Sequence, residues 1–123
     1  MTIDSNIIIG YLNGDVTIVP AIIRWRKAEH ILFLSSIVEM EVLSTSKLTD
    51  ADRLITQKFL EENFTFFPFD RTLARIAALC RARYAVKGFD AAVAATALYT
   101  HTPIVSRNIK DFRKIPDLQI IEI

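Results

Sequence analysis

Short apolar runs bounded by polar residues alternate along this chain with longer runs whose apolar positions recur at helical spacing. The short runs predict strands near Met1–Asp4, Ile31–Leu34, Thr65–Phe67, Pro103–Val105 and Leu118–Ile121. The longer runs predict helices over Asn6–Leu12, Val16–Ala28, Ser36–Ser44, Asp50–Asn63, Arg71–Ala85 and Ala91–Thr100. Strands separated by helices imply parallel pairing, because a parallel pair needs a crossover connection. The expected architecture is therefore α/β, a three-layer α/β/α sandwich with a mostly parallel central sheet. Residues 1–123 read as one domain, since the length suits a single core and no repeat or linker divides it. Pro68, Pro103 and Pro116 punctuate turns.

Composition narrows this picture. Apolar residues make up 51% and mean hydropathy is +0.29, a rich content for a small monomer that points to a self-association surface. A net charge of +1 excludes a global field drawing the chain to nucleic acid or membrane. The amino terminus has no basic segment leading into a long apolar run, and no stretch approaches the roughly 20 apolar residues that span a bilayer. A soluble, cytoplasmic protein with no membrane partner is expected. A lone cysteine, Cys80, rules out an internal disulfide and a Cys-based zinc site, and it sits among Ile76, Ala77 and Leu79 as a small core residue. His30 and His101 follow helical runs and read as solvated helix ends. Gly10, Gly14 and Gly88 form no phosphate-cradling run, which disfavours P-loop and dinucleotide functions.

The candidate chemistry lies in four acidic residues: Asp4 after the first strand, Glu41 inside an apolar helix, Asp90 at the head of an alanine-rich helix, and Asp111 after the fourth strand. Carboxylates against apolar surface are costly unless something positive meets them. In an open parallel sheet, ligands bind beyond the carboxyl ends of the strands, and that topology gives the four a common address. Hard oxygen donors without imidazole or thiolate select Mg²⁺ or Mn²⁺ over zinc. Each residue also has a plainer reading. Asp4 and Asp90 suit helix N-caps. Asn108 suits the cap of a short helix that leaves Asp111 solvated. Ser5 and Ser106, which can orient a carboxylate or a ligand water, suit ordinary cap or turn hydroxyls.

Glu39 and Glu41 need separating, because two helical positions are about 200° apart and only one can face the site. Ser36-Ile37-Val38-Glu39 fits a capping box, which gives Glu39 a structural duty and leaves Glu41 for the metal. Asn108 and Asp111 stand one helical turn apart, so both can reach one face. A positive rim around the acidic residues would come from Arg107 and Lys110, with Arg81, Arg83, Lys87, Arg113 and Lys114 nearby.

In these same blocks the chain resembles PIN-domain ribonucleases, in particular the VapC-like toxins of toxin-antitoxin pairs. Ile3-Asp4-Ser5-Asn6 is similar to the family's first block, Leu34 to Val42 to its second with Glu41 at the acidic position, Asp90 to Leu98 to its third, and Ser106 to Phe112 to its fourth. The resemblance covers the whole chain. It implies a PIN-like fold and endonucleolytic cleavage of single-stranded RNA leaving a 5′-phosphate. It also implies Asp4, Glu41 and Asp90 as metal ligands, with Asp111 or Asn108 completing the set, and a homodimer bound by a cognate antitoxin. Two departures stand out: Asn108 follows Arg107 where some members carry aspartate, and Val86-Lys87-Gly88-Phe89 lacks a proline that relatives often have. The helices at Val16–Ala28 and Asp50–Leu60 are the expected partner surfaces, with Trp25 as an exposed anchor or a core residue. The alternative function is a noncatalytic PIN-like module that binds RNA or protein. A phosphotransfer domain is a weaker one, with Lys110 as its only strand-end lysine.

Overall fold

The strands of this protein are only two or three residues long, so pairing register rather than strand length sets the architecture. The structure, a computed structural model, describes residues 1–123. In chain order the elements are β1 (Thr2–Ile3), α1 (Ser5–Leu12), α2 (Ile18–Lys27), β2 (Phe33–Ser35), α3 (Ser36–Leu43), α4 (Asp50–Asn63), β3 (Thr65–Phe67), α5 (Arg71–Tyr84), α6 (Asp90–Thr100), β4 (Ile104–Ser106), a 3₁₀ turn (Phe112–Lys114) and β5 (Ile120–Glu122). The sheet order is β3-β2-β1-β4-β5 and every pair is parallel. From β1 the chain steps outward through β2 to β3, then returns across the sheet to β4 on the other side of β1. With right-handed crossovers, that reversal puts α1 to α4 on one face and α5 and α6 on the other. It also makes the gap between β1 and β4 a topological switch point, where the connections diverge and leave a crevice at the carboxyl ends.

Local sequence explains the helices. A reciprocal capping box between Thr49 and Asp52 starts α4, and Asp70 caps α5 through the Leu73 amide. Ala91 to Ala97 are all buried, as expected for a helix that is small-sided all round. This lets α6 lie between α5 and the sheet. The core joins Ile3, Ile7, Leu34, Val38, Leu60, Leu73, Val93 and Ile104 with Phe112, the largest fully buried side chain. Cys80 is part of that core, and Trp25 packs half-buried against it. His101 closes α6 in the left-handed region (φ 52°), exposed as expected. No helix is long and apolar enough to cross a membrane.

Several boundaries move from their expected places. Pro103 lacks an amide proton, so β4 begins at Ile104 and runs on through Ser106, while the Pro103 carbonyl accepts from the Thr2 amide at 2.8 Å. β2 is Phe33–Ser35 rather than Ile31–Leu34, because its pairing with β1 starts opposite Thr2. β5 starts at Ile120, since Leu118 is held in a turn by the Ile115 carbonyl. The 3₁₀ turn carrying Phe112 has no periodic signal to announce it.

Candidate active site

Register brings the first carboxylate to the switch point. Thr2 pairs with both Phe33 and Ile104, Ile3 pairs with Val105, and the Asp4 amide donates to the Val105 carbonyl at 3.0 Å. Asp4 therefore stands at the carboxyl end of β1, level with Ser35 and Ser106 on the flanking strands. Its Oδ1 accepts the Ser5 amide at 2.8 Å, and its Oδ2 accepts both the Ser106 hydroxyl at 2.6 Å and the Asn6 amide at 3.0 Å. Only 4% exposed, its carboxyl is pushed up by burial, against the opposing pull of its donors Ser106, Ser5 and Asn6. The capping role of Asp4 is thus real, and it leaves the carboxylate at the sheet's carboxyl rim. Sequence reasoning missed Asn6, although an asparagine two residues after an N-cap aspartate is placed for its amide to reach back.

Asp90 differs in having no such partners. It is the first residue of α6, not its cap; Phe89 occupies the cap position without a side-chain bond. The capping alternative for Asp90 therefore fails. Gly88 makes this entry feasible, since φ +57° there turns the loop immediately before Phe89 in a way L side chains resist. No protein group hydrogen bonds to the Asp90 carboxyl, which is pushed up to about 6 by burial first and then by the charges of Asp4, Asp111 and Glu41. Asp4, Asp111 and Glu41 are thus near enough to Asp90 for their charges to act on it.

Glu41 reaches this rim from α3, whose start differs from the expected one. The N-cap of α3 is Ser35, whose hydroxyl accepts the Ile37 amide at 3.3 Å. Ser36 instead accepts the Phe69 amide at 2.8 Å, tying α3 to the segment before α5. Glu39 consequently lies one position beyond the capping-box site, and the box over Ser36–Glu39 does not form. It lines a shallow pocket with Leu34, Leu60, Glu61 and Phe66. The two glutamates still diverge, for the geometric reason that helical positions two apart face nearly opposite ways.

The fourth block is also rearranged. No helix spans Asn108 to Asp111, so the shared helical face expected of them is absent; the 3₁₀ turn begins only after Asp111. Asn108 is exposed and caps nothing, and its amide donates to Ser106 Oγ at 3.0 Å. Asp111 is engaged: Lys114 Nζ lies 2.6 Å from Oδ1, and the Lys87 amide donates to Oδ2 at 3.3 Å. Lys114 and then the Lys87 amide hold its carboxyl below the usual carboxylate range. Arg107, expected to meet RNA, has other partners. Its guanidinium makes a two-pronged contact with Asp15 at 2.7 and 3.0 Å, and its Nε donates to the Ile123 carbonyl at 2.9 Å. Arg107 accordingly holds Asp15 down to about 2. Lys110 and Lys87 are both exposed and neither side chain forms an ion pair, so both are free cations here.

As placed, no three His, Cys, Asp or Glu side chains are arranged to enclose a metal ion. Asp90 feels the charges of three acidic neighbours, and Asp111 is paired with Lys114. A consequence is measurable. Asp90 binds its proton more tightly folded than unfolded, so between its ordinary value of 3.8 and about 6 the folded state holds more protons and stability falls as pH rises. Asp4, also raised, acts in the same direction. After discounting for solvent screening, the Asp90 effect is on the order of 1 kcal/mol. Thermal melts of chelator-treated protein should therefore show a loss between pH 4.5 and 6.5, on the order of a few degrees. Asp90→Asn should remove most of it, and equal slopes for parent and variant would show that Asp90 is not the group responsible.

The fold has close counterparts. The family model for the PIN domain matches residues 1–118, and the chain belongs to the PIN domain family. It is 26% identical to a ribonuclease VapC of Rickettsia bellii, over all of this chain and 96% of that protein. Among solved structures, the chain superposes on VapBC2 of Rickettsia felis, determined bound to a promoter DNA fragment, with a TM-score of 0.84 at 21% identity, covering 99% of this chain and 97% of that one. A toxin-antitoxin complex from Klebsiella pneumoniae matches with a TM-score of 0.78 at 26% identity, over 98% of this chain and 94% of that one. The expected three-layer architecture with its parallel sheet is the fold these structures share.

Proposed function

We propose that this protein is a divalent-metal-dependent endoribonuclease of single-stranded RNA, acting in the cytoplasm as the toxin of a toxin-antitoxin pair. The observation that supports this reading is Asp90 at the head of α6, a carboxylate with no hydrogen bond to the protein and near enough to Asp4, Asp111 and Glu41 for their charges to push it up. Such a cluster is costly on its own and becomes favourable when a cation meets it. The donors are all hard oxygens, which fits Mg²⁺ or Mn²⁺. Asp4, Glu41 and Asp90 would hold the ion directly or through water. Asp111 shares its charge with Lys114 and would act from farther out, with Asn108 beside it. When bound, the metal lowers the pKa of water and offsets charge on phosphate oxygens.

The chain's own groups supply the rest. Ser5, Asn6 and Ser106 fix the Asp4 carboxylate, and Lys110 offers a phosphate an unpaired ammonium. Arg107 shapes the rim through Asp15 more than it meets RNA. Similarity to a ribonuclease VapC supports the reaction, and similarity to a toxin-antitoxin complex supports an antitoxin partner. A homodimer suits the exposed apolar residues Val16, Leu54 and Ile55 on and beside α2 and α4.

Purified protein should cleave an unstructured RNA only with Mg²⁺ or Mn²⁺, leaving 5′-phosphate ends, and chelation should abolish cleavage. Zinc should substitute poorly. Cleavage surviving thorough chelation contradicts the metal role. RNA binding without cleavage across a broad panel would instead indicate a noncatalytic module.

A further inference from the structure

We propose that Asn6 is a positioning residue that, with Ser106, leaves Asp4 a single oxygen for the metal and so favours Mg²⁺ over Ca²⁺. This rests on the metal-dependent reading above and assigns a source for its ion preference. The hydrogen bonds fix every proton in the network. Asn6 Oδ1 accepts the Arg107 amide at 3.2 Å, which commits Nδ2 to the other side, toward Asp4 Oδ2 at 3.0 Å and Ser106 Oγ at 3.1 Å. Ser106 Oγ thus receives two donors, Asn6 Nδ2 and the Asn108 amide at 3.0 Å. Its one proton is left for Asp4 Oδ2, 2.6 Å away.

Each carboxylate oxygen has about two lone-pair positions. Oδ2 of Asp4 has both taken, by Ser106 and Asn6, whereas Oδ1 receives the Ser5 amide, with the Ser5 hydroxyl also acting on the carboxyl. Asp4 can therefore offer a cation at most one lone pair, on Oδ1, and cannot bind through both oxygens without breaking this network. Mg²⁺ demands a tight octahedral shell, while Ca²⁺ takes more oxygens and accepts bidentate carboxylates. A carboxylate held to one free lone pair penalises the larger ion.

The test is a calorimetric titration of Mg²⁺ and of Ca²⁺ into the full-length parent and Asn6→Ala at pH 7.5. Freeing Oδ2 should weaken Mg²⁺ binding about tenfold, the lower end of the range for outer-sphere partners of metal ligands. Ca²⁺ binding should hold or strengthen, so the preference for Mg²⁺ narrows by about tenfold or more. If Asn6→Ala fails to fold, Ser106→Ala opens the same oxygen and should narrow the ratio likewise. An unchanged ratio, whether both affinities fall together or neither moves, would overturn the proposal and leave Asn6 a structural residue. A parent that binds neither ion would remove the metal-dependent reading itself, and this proposal with it.

Discussion

Asp90→Asn is expected to reduce RNA cleavage by at least about 100-fold, beyond the loss typical of an outer-sphere partner, and yet to leave the metal-free protein as stable as the parent or more so. Most substitutions at a half-buried position destabilise. Here the sign reverses, because the Asp90 carboxyl has no hydrogen bond to lose and three like charges around it. Removing one charge relieves on the order of 1 kcal/mol after allowing for solvent screening, about 4 °C in melting temperature for a domain of this size. Asparagine matches aspartate in size, and Asp90 makes no capping bond that could be lost, so a loss of activity would not be a folding defect. Melts with and without Mg²⁺ complete the test: the variant should gain much less from the ion than the parent does. A variant that cleaves normally and is stabilised by Mg²⁺ as much as the parent would remove Asp90 from the site.

Glu41→Gln and Glu39→Gln are expected to part company by a comparable margin, although the two residues are separated by a single position. Glu41 contributes to the charge felt by Asp90, whereas Glu39 lines the pocket beside Leu60 and Phe66. Glutamine keeps the length of glutamate and its helix preference, so neither change should unfold α3. Glu41→Gln should lose metal-dependent cleavage about as severely as Asp90→Asn, while Glu39→Gln should retain most of it. Because the capping box is absent, Glu39→Gln should also change the melting temperature little. The assignment is reversed if the activities come out the other way round.

What the sequence made legible was chiefly what local chemistry decides. The limits of α4 and β3 follow from Thr49, Asp52 and the apolar run beyond Asn63, and both appear where expected. Asp4, Glu41 and Asp90 stood out as candidates because apolar runs made their charges conspicuous. The cap of α3 was not, because tandem serines at 35 and 36 offer equivalent hydroxyls and only the Phe69 amide chooses between their roles. Spacing alone also misplaced Asn108 and Asp111 on a helix that does not form there. Least legible were the partners set by folding: Arg107 finds Asp15 across 92 positions, and Asn6 finds Ser106 across 100. No local pattern encodes such pairings, so an arginine adjacent to a strand end read as free for phosphate when its charge was already matched.

Anomalous diffraction from crystals grown with Mn²⁺ above pH 7, where Asp90 is ionised, tests most directly whether these acids form a metal centre. A single strong peak should lie among the carboxylates of Asp4, Glu41 and Asp90, on the Oδ1 side of Asp4, with Asp111 closer to Lys114 than to the ion. No peak at this rim at millimolar Mn²⁺, or peaks confined to other carboxylates of the surface, would contradict the metal centre.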